Sequence, residues 1–262
     1  MGFLSDLVRE LRERLDREPL DASALLQRAM ASPPPRPFED ALRSASPAVI
    51  AEVKRASPSA GPIADRDPAD QARAYEAGGA SAISVLTEPR HFDGSLADLR
   101  AVRTSVGLPV LRKDFLIDPA QVIESRAAGA DAVLLIAACV SAAELEALVR
   151  ATDDLAMAAL VETHADEDLD KALGAGARIV GVNARDLETL EVDTGRALRA
   201  LRRVPEDRLA VFESGIRTRA DVEAAVGAGA SAILVGEALM RAVDPGRTIG
   251  ELVGAGREAR GA

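Results

Sequence analysis

Four segments of this chain are variations on one another: Gly78-Gly-Ala-Ser-Ala-Ile-Ser-Val85, Ala128-Gly-Ala-Asp-Ala-Val-Leu-Leu135, Ala175-Gly-Ala-Arg-Ile-Val-Gly-Val182 and Ala228-Gly-Ala-Ser-Ala-Ile-Leu-Val235, with starts 50, 47 and 53 residues apart. Each reads as the end of a helix, a glycine able to take a left-handed turn, and a short buried strand. Four more apolar runs, 48–54, 108–114, 155–162 and 208–213, lie before or between them and raise the strand count to eight. Helix starts are signalled in the gaps. Asp67-Pro68 and Asp118-Pro119 place a capping side chain before a first-turn proline, Ser141-Ala-Ala-Glu144 is a capping box, and Thr218-Arg-Ala-Asp221 is a weaker one. Eight strand–helix units with continuously apolar strands imply a parallel sheet covered by helices, and at this length a closed (β/α)8 TIM barrel. An open doubly wound sheet is the alternative, but no G-x-G-x-x-G follows the first strand.

The chain divides into an N-terminal helical extension, residues 1–46, and a barrel, residues 47–262, together forming one domain. In the extension Phe3, Leu4, Leu7, Leu11 and Leu15 recur at helical spacing, Pro33-Pro-Pro35 interrupts, and Phe38 to Arg43 has the makings of another turn. Such helices usually close one mouth of a barrel, and packing is the expected role for most of these residues.

Aromatics are 2% of the chain, so the core is built from Ala, Val, Leu and Ile. The net charge of −10 excludes a general nucleic-acid binder, which needs a basic face, but not a small anionic ligand held by a local cluster of cations. The single cysteine, Cys139, rules out an internal disulfide and fits a reducing compartment. No run approaches the ~20 apolar residues of a membrane span. A cytoplasmic protein is expected, monomeric, with a dimer as the alternative.

The strand ends carry charge where burial is costly unless charges are paired or used. Only three of the 32 basic residues are lysines, Lys54, Lys113 and Lys171, and two of these close apolar runs. Lysine, unlike arginine, is able to lower its pKa on burial and pass on a proton. The first strand offers Glu52 and Lys54, the third Lys113 with Asp114 beyond it, the fifth Glu162, the sixth Asn183, and the seventh Glu213 and Ser214. In a barrel these C-terminal strand ends converge on one mouth, giving a cluster with perturbed pKa values. Ser214-Gly215 after the seventh strand and Gly236 after the eighth stand where barrels commonly bind phosphate, with Glu237 to Met240 as the short helix beyond. Ser57 adds a hydroxyl in the long loop from Arg55 to about Asp67, a segment suited to closing over a substrate. His91 and His164 read as solvated loop residues, Cys139 as buried filler, and the acidic stretch after Glu162 as a solvated helix start. No metal constellation is visible.

These motifs resemble the indole-3-glycerol phosphate synthase family of tryptophan biosynthesis. The resemblance runs through Ile50-Ala-Glu-Val-Lys-Arg-Ala-Ser-Pro-Ser59, Ser84-Val-Leu-Thr-Glu88, Phe92-Asp-Gly-Ser95, Val110-Leu-Arg-Lys-Asp-Phe115, Val161-Glu162, Gly181-Val-Asn-Ala-Arg-Asp-Leu187, Glu213-Ser-Gly-Ile216 and Gly236-Glu-Ala-Leu-Met240. It implies a carbon–carbon lyase, a carboxy-lyase, that closes a ring in 1-(2-carboxyphenylamino)-1-deoxyribulose 5-phosphate, expels carbon dioxide and removes water, with no cofactor. It also implies Lys113 as the leading acid, with Lys54 and Glu162 as further acid–base groups. Glu52 would pair with a lysine, and Asn183 and Glu213 would orient sugar hydroxyls and lysines. Arg185 would engage the substrate carboxylate, Phe92 and Phe115 would line the aryl pocket, and Ser57, Ser214, Gly215 and Gly236 would hold the phosphate. Ala184 departs from the family, in which this position is often polar, and is expected to tune the pocket. The competing expectations are a related phosphate-binding isomerase, which would use a Cys and Asp pair, and a non-catalytic sugar-phosphate-binding barrel.

Overall fold

In the computed structural model of the chain, eight parallel strands close into a barrel: β1 (Ala48–Val53), β2 (Ala82–Leu86), β3 (Val110–Lys113), β4 (Ala132–Ile136), β5 (Ala158–Thr163), β6 (Ile179–Asn183), β7 (Leu209–Glu213) and β8 (Ala232–Val235). The structure describes residues 2–57, 61–62 and 66–261, without the side chains of 57, 62 and 257–261. Each strand pairs with its neighbours in sequence, and β1 pairs with β8 to close the ring. This is the (β/α)8 barrel that the repeat predicts. All four repeat glycines, Gly79, Gly129, Gly176 and Gly229, have φ between +81° and +106°, a region that a side chain would make costly.

The barrel helices are α4 (Pro68–Ala77), α5 (Leu96–Ser105), α6 (Pro119–Ala127), α7 (Ala142–Asp154), α8 (Asp166–Gly174), α9 (Thr194–Leu201), α10 (Arg219–Gly227), a short α11 (Glu237–Arg241) and α12 (Pro245–Gly261). Their starts follow the signals in the sequence. Asp67 accepts from the Ala69 and Asp70 amides, Asp118 accepts from Ala120, and the capping boxes at Ser141 and Thr218 are both complete. The Thr218 box is therefore stronger than its sequence suggests. Asp168 departs from expectation. It is buried rather than solvated, because its carboxylate accepts the His164 and Ala165 amides at the head of α8.

The extension forms α1 (Phe3–Arg17), α2 (Ala22–Ala31) and α3 (Phe38–Arg43). The α2 helix is not anticipated in the sequence reading, although Ala22, Leu25, Leu26, Ala29 and Met30 recur at helical spacing and Asp21 caps the Ala24 amide; Leu26 and Met30 remain exposed. At the lower end of the barrel, α3 buries Phe38 and Leu42 against the start of the sheet. Asp131 anchors the extension there. Its carboxylate accepts the amides of Arg36 and Val110, at 2.7 and 2.8 Å, and the Arg103 guanidinium at 3.0 Å. At the other end α1 reaches the rim, where Arg12 pairs with Glu144 and Glu10 with Arg90. The extension thus straps the barrel from bottom to top.

Candidate active site

A cavity of about 420 Å³ opens at the C-terminal ends of the strands, the size of a small-ligand site. Glu52, Lys113, Glu162 and Glu213 come from β1, β3, β5 and β7, the alternate strands that fill one layer of such a barrel. All four line this cavity, as do Lys54, Asn183, Arg185, Phe92, Phe115, Ser214, Gly215 and Gly236. Of the residues singled out in the sequence, Ser57 is not placed, because its side chain lies outside the described residues, as do residues 58–60 and 63–65 of the loop expected to close over substrate. Its backbone pairs with Gly61 in a two-residue hairpin within the β1–α4 loop.

Register explains the convergence. Glu162 lies opposite Gly181, and Asn183 opposite Glu213. Lys113 Nζ then lies 3.1 Å from Glu162 Oε2 and 3.1 Å from Glu213 Oε2. The Asn183 amide donates to the other oxygen of Glu162 at 3.0 Å. Beside this triad, Lys54 Nζ is 2.5 Å from Glu52 Oε1. Two glycines make the packing possible. A Cβ on Gly181 would strike Glu213 Oε1, and one on Gly236 would strike the Glu52 carboxylate and approach Lys54 Nζ at 3.1 Å. Gly236 therefore makes room for an ion pair, whatever else its amide does.

The electrostatics correct one expectation. Burial alone would lower the pKa of Lys113, but Glu162, Glu213 and Glu52 outweigh it and hold the ammonium above its ordinary range. Lys113 is a firmly charged group in the free site. Glu162 and Glu213 are equally close to Lys113 yet move in opposite directions. Burial opposes ionisation of both. For Glu162, Lys113 and the Asn183 amide prevail and its pKa falls. For Glu213, burial and the Glu162 charge prevail over Lys113, and its pKa is pushed up to about 8. Geometry supports this division, because Glu213 Oε1 is buried without a hydrogen-bond partner, a cost that grows with charge. With a proton on Glu213, the five groups sum to zero charge.

This arrangement sets a pH dependence. Folded Glu213 titrates near 8, against 4.5 for an ordinary glutamate. Between those values the folded chain holds a proton that the unfolded chain has released, so this group's contribution is fully present below 4.5 and is lost as pH rises through about 8. Glu213→Gln carries a permanently neutral amide and escapes that loss. Its melting temperature relative to wild type should climb as pH is raised from about 5 to about 9. A difference that stays flat across this range would mean that Glu213 is ionised throughout.

The remaining candidates are placed as follows. The rings of Phe92 and Phe115 sit 6.3 Å apart, centroid to centroid, on one wall. The Arg185 amide is held by Asn183 Oδ1 at 2.9 Å, and its guanidinium donates to the Leu190 carbonyl at 2.8 Å, tying the loop between β6 and α9 to itself. Ser214 and Gly215 both have positive φ, +66° and +81°. For Ser214 that is a strained conformation, of the kind that collects at functional sites. Ala184 is fully buried. Cys139 is buried and its thiol pKa is raised by burial, as expected of filler.

The histidines lie in loops, as expected, but are only partly solvated. His164 is half-buried, its Nε2 3.1 Å from Asp186, and Arg196 donates to the Asn183 carbonyl beside it at 2.6 Å. The His91 ring packs edge-on against Phe3 and faces Glu88 at 3.3 Å. Both sit where the chain folds back on the rim, a placement that sequence spacing does not reveal. Phe3 is a further surprise, for it lines the cavity instead of only packing. The α1 helix that carries it is pinned by Ser5, whose backbone amide donates to Glu188 at 3.2 Å. Arg217 and Arg241 also line the cavity, though no motif marks them; their positions just after β7 and in α11 are the only sequence signal for them. Among the described residues no cluster of His, Cys, Asp and Glu is arranged to hold a metal ion, and no helix is long and apolar enough to cross a membrane.

Fold and rim together define a (β/α)8 barrel that gathers a buried cluster of lysines and carboxylates at its C-terminal mouth. Solved structures agree on the fold: 3-hexulose-6-phosphate synthase superposes with a TM-score of 0.64 at 19% identity, covering 79% of this chain and 99% of that one. Thiamine phosphate pyrophosphorylase from Pyrococcus furiosus gives 0.62 at 17% identity, covering 85% and 99%. The family is narrower. The sequence model of indole-3-glycerol phosphate synthase matches residues 4–252. The indole-3-glycerol phosphate synthase of Mycolicibacterium smegmatis is 53% identical over 231 residues, 88% of this chain and 85% of that protein. That of Rhodococcus jostii is 51% identical over 238 residues, 90% and 88%. The chain belongs to the indole-3-glycerol phosphate synthase family.

Proposed function

We propose that this protein catalyses the indole-3-glycerol phosphate synthase reaction, the ring closure, decarboxylation and dehydration of 1-(2-carboxyphenylamino)-1-deoxyribulose 5-phosphate. Family membership carries the activity, and one observation carries the mechanism: an ammonium, Lys113, held at 3.1 Å by two buried carboxylates. Neither an isomerase nor a non-catalytic barrel is favoured beside that membership.

Ring closure makes the substrate's ketone oxygen more basic as the aryl carbon attacks, and a charged Lys113 is the proposed acid that protonates it. Positioned acid–base help of this kind is typically worth about 10²–10⁴-fold in rate. Glu162, ionised and fixed by Asn183, is the proposed base that takes the ring nitrogen or carbon proton in dehydration, after loss of carbon dioxide has restored the aryl ring. Glu213 is the proposed proton reserve behind Lys113. Lys54, oriented by Glu52, is the proposed acid for the departing hydroxyl in dehydration. Phe92 and Phe115 face the aryl ring, and Arg185 the substrate carboxylate. Ser214, Gly215 and Gly236, with Ser57, hold the phosphate. The chemistry uses only this chain's own acids and bases. We further propose that residues 1–46 and the barrel from 47 to 262 fold as one domain, and that the protein works as a cytoplasmic monomer.

The product provides the assay. The chain has no tryptophan, so an indole formed from authentic substrate fluoresces over a low background. Absence of that signal at any enzyme concentration would refute the activity. Arg185→Ala tests the carboxylate contact. It should raise KM for substrate about tenfold or more, in line with the loss of a charge-assisted hydrogen bond, while binding of inorganic phosphate stays unchanged. Equal weakening of both ligands would mean that the Leu190 tether, not the substrate contact, is what Arg185 supplies.

A further inference from the structure

The cavity end formed by Ser214, Gly215 and Gly236 carries three charged side chains that the mechanism above does not use: Arg217, Glu237 and Arg241. Glu237 puts a carboxylate where the proposed substrate brings a phosphate dianion, and like charges there repel. Arg241 answers that charge, its Nε 3.2 Å from Glu237 Oε1 one helical turn away. Arg217 is differently placed. Its backbone amide donates to Asp221 at 2.9 Å, but that carboxylate also takes up the Thr218 amide and hydroxyl at the head of α10. The Arg217 guanidinium makes no hydrogen bond or close ion pair among the described residues, in a chain where 42 acidic residues outnumber 32 basic ones. At the mouth of the cavity this exposed guanidinium feels the charge of Asp221 but makes no hydrogen bond to it, and so is open to an incoming anion.

We propose that Arg217 captures the phosphate dianion of the substrate on entry, and that Arg241 serves the same step by neutralising Glu237. The inference rests on the functional reading above. A chain of net charge −10 repels an anion at long range, and a cationic rim at the phosphate end raises the local concentration of substrate where it must dock. Neither arginine touches the reacting atoms; both act on binding.

Steady-state kinetics at low and at near-physiological ionic strength test this. Arg217→Gln should leave kcat within about twofold of wild type and lower kcat/KM about tenfold at low salt, with the gap shrinking as salt screens the charge. Arg217→Lys should restore most of the loss. Arg241→Gln should lower kcat/KM about threefold by uncovering Glu237, and adding Glu237→Gln to it should restore the value. An unchanged kcat/KM for Arg217→Gln at low salt overturns the proposal. So does a loss that salt does not alter and that comes with a lower melting temperature, the mark of a structural role. Failure of Glu237→Gln to rescue Arg241→Gln overturns the part assigned to Arg241. If wild type forms no indole, the functional reading fails instead, and calorimetry with inorganic phosphate still decides Arg217: binding weakened in Arg217→Gln keeps its anion-capture role, and equal binding removes it.

Discussion

Lys113→Ala should lower kcat by about 10²–10⁴-fold while the protein still binds a product-like phosphate. The expected size follows from the role proposed for the ammonium, protonation of an oxygen whose charge develops only as the ring closes. The phosphate end of the cavity lies on other elements, the loops after β7 and β8, so binding there should persist. The substitution also leaves Glu162 and Glu213 buried without their shared cation. Both carboxyls then titrate higher, and the variant should lose stability relative to wild type as pH rises. Single-turnover measurement near pH 6, where the carboxyls take up protons readily, separates lost chemistry from lost folding. Turnover equal to wild type in a folded Lys113→Ala protein would remove Lys113 from the chemical step.

The largest effect on stability is expected far from the site. Asp131→Ala should cost about 3–5 kcal/mol and lower the melting temperature by on the order of 10 °C. Asp131 is 1% exposed, and its carboxylate receives two backbone amides and the Arg103 guanidinium. Its own pKa is raised, because burial outweighs those partners, so the ion pair itself is a weak source of stability. The cost of substitution lies in what remains: two stranded amides, an uncompensated guanidinium, and an extension no longer fixed at Arg36. If the extension and barrel are one folding unit, the variant should still unfold in a single transition. A loss below about 1 kcal/mol would show the network to be dispensable. Two separate transitions would show instead that the extension folds by itself.

The barrel was legible because its signals are local. Each left-handed glycine, each capping box and each apolar strand occupies a few consecutive residues, and the repetition of the unit supplies the topology. Lys54, Lys113, Glu162, Asn183 and Glu213 were legible for a related reason: charge at the end of an apolar run is costly wherever the run is buried. The α2 helix was less so: its apolar spacing, Ala22, Leu25, Leu26, Ala29 and Met30, spans a short segment and leaves Leu26 and Met30 exposed. Phe3 read as packing, since a helical repeat of apolar residues does not say which of them overhangs a mouth. The histidines read as solvated because their partners, Asp186 for one and Phe3 for the other, lie well apart in the chain.

Amino-acid order alone settled how many barrel strands there are, which residues end them and that these ends share one rim, for strand period and capping act over a few ångströms of chain. It did not settle the direction in which Lys113 titrates. Glu162 is 49 and Glu213 100 positions away, and only barrel closure brings both to 3.1 Å. A buried pKa is a sum over charges near in space, and nearness in space is a property of the folded barrel.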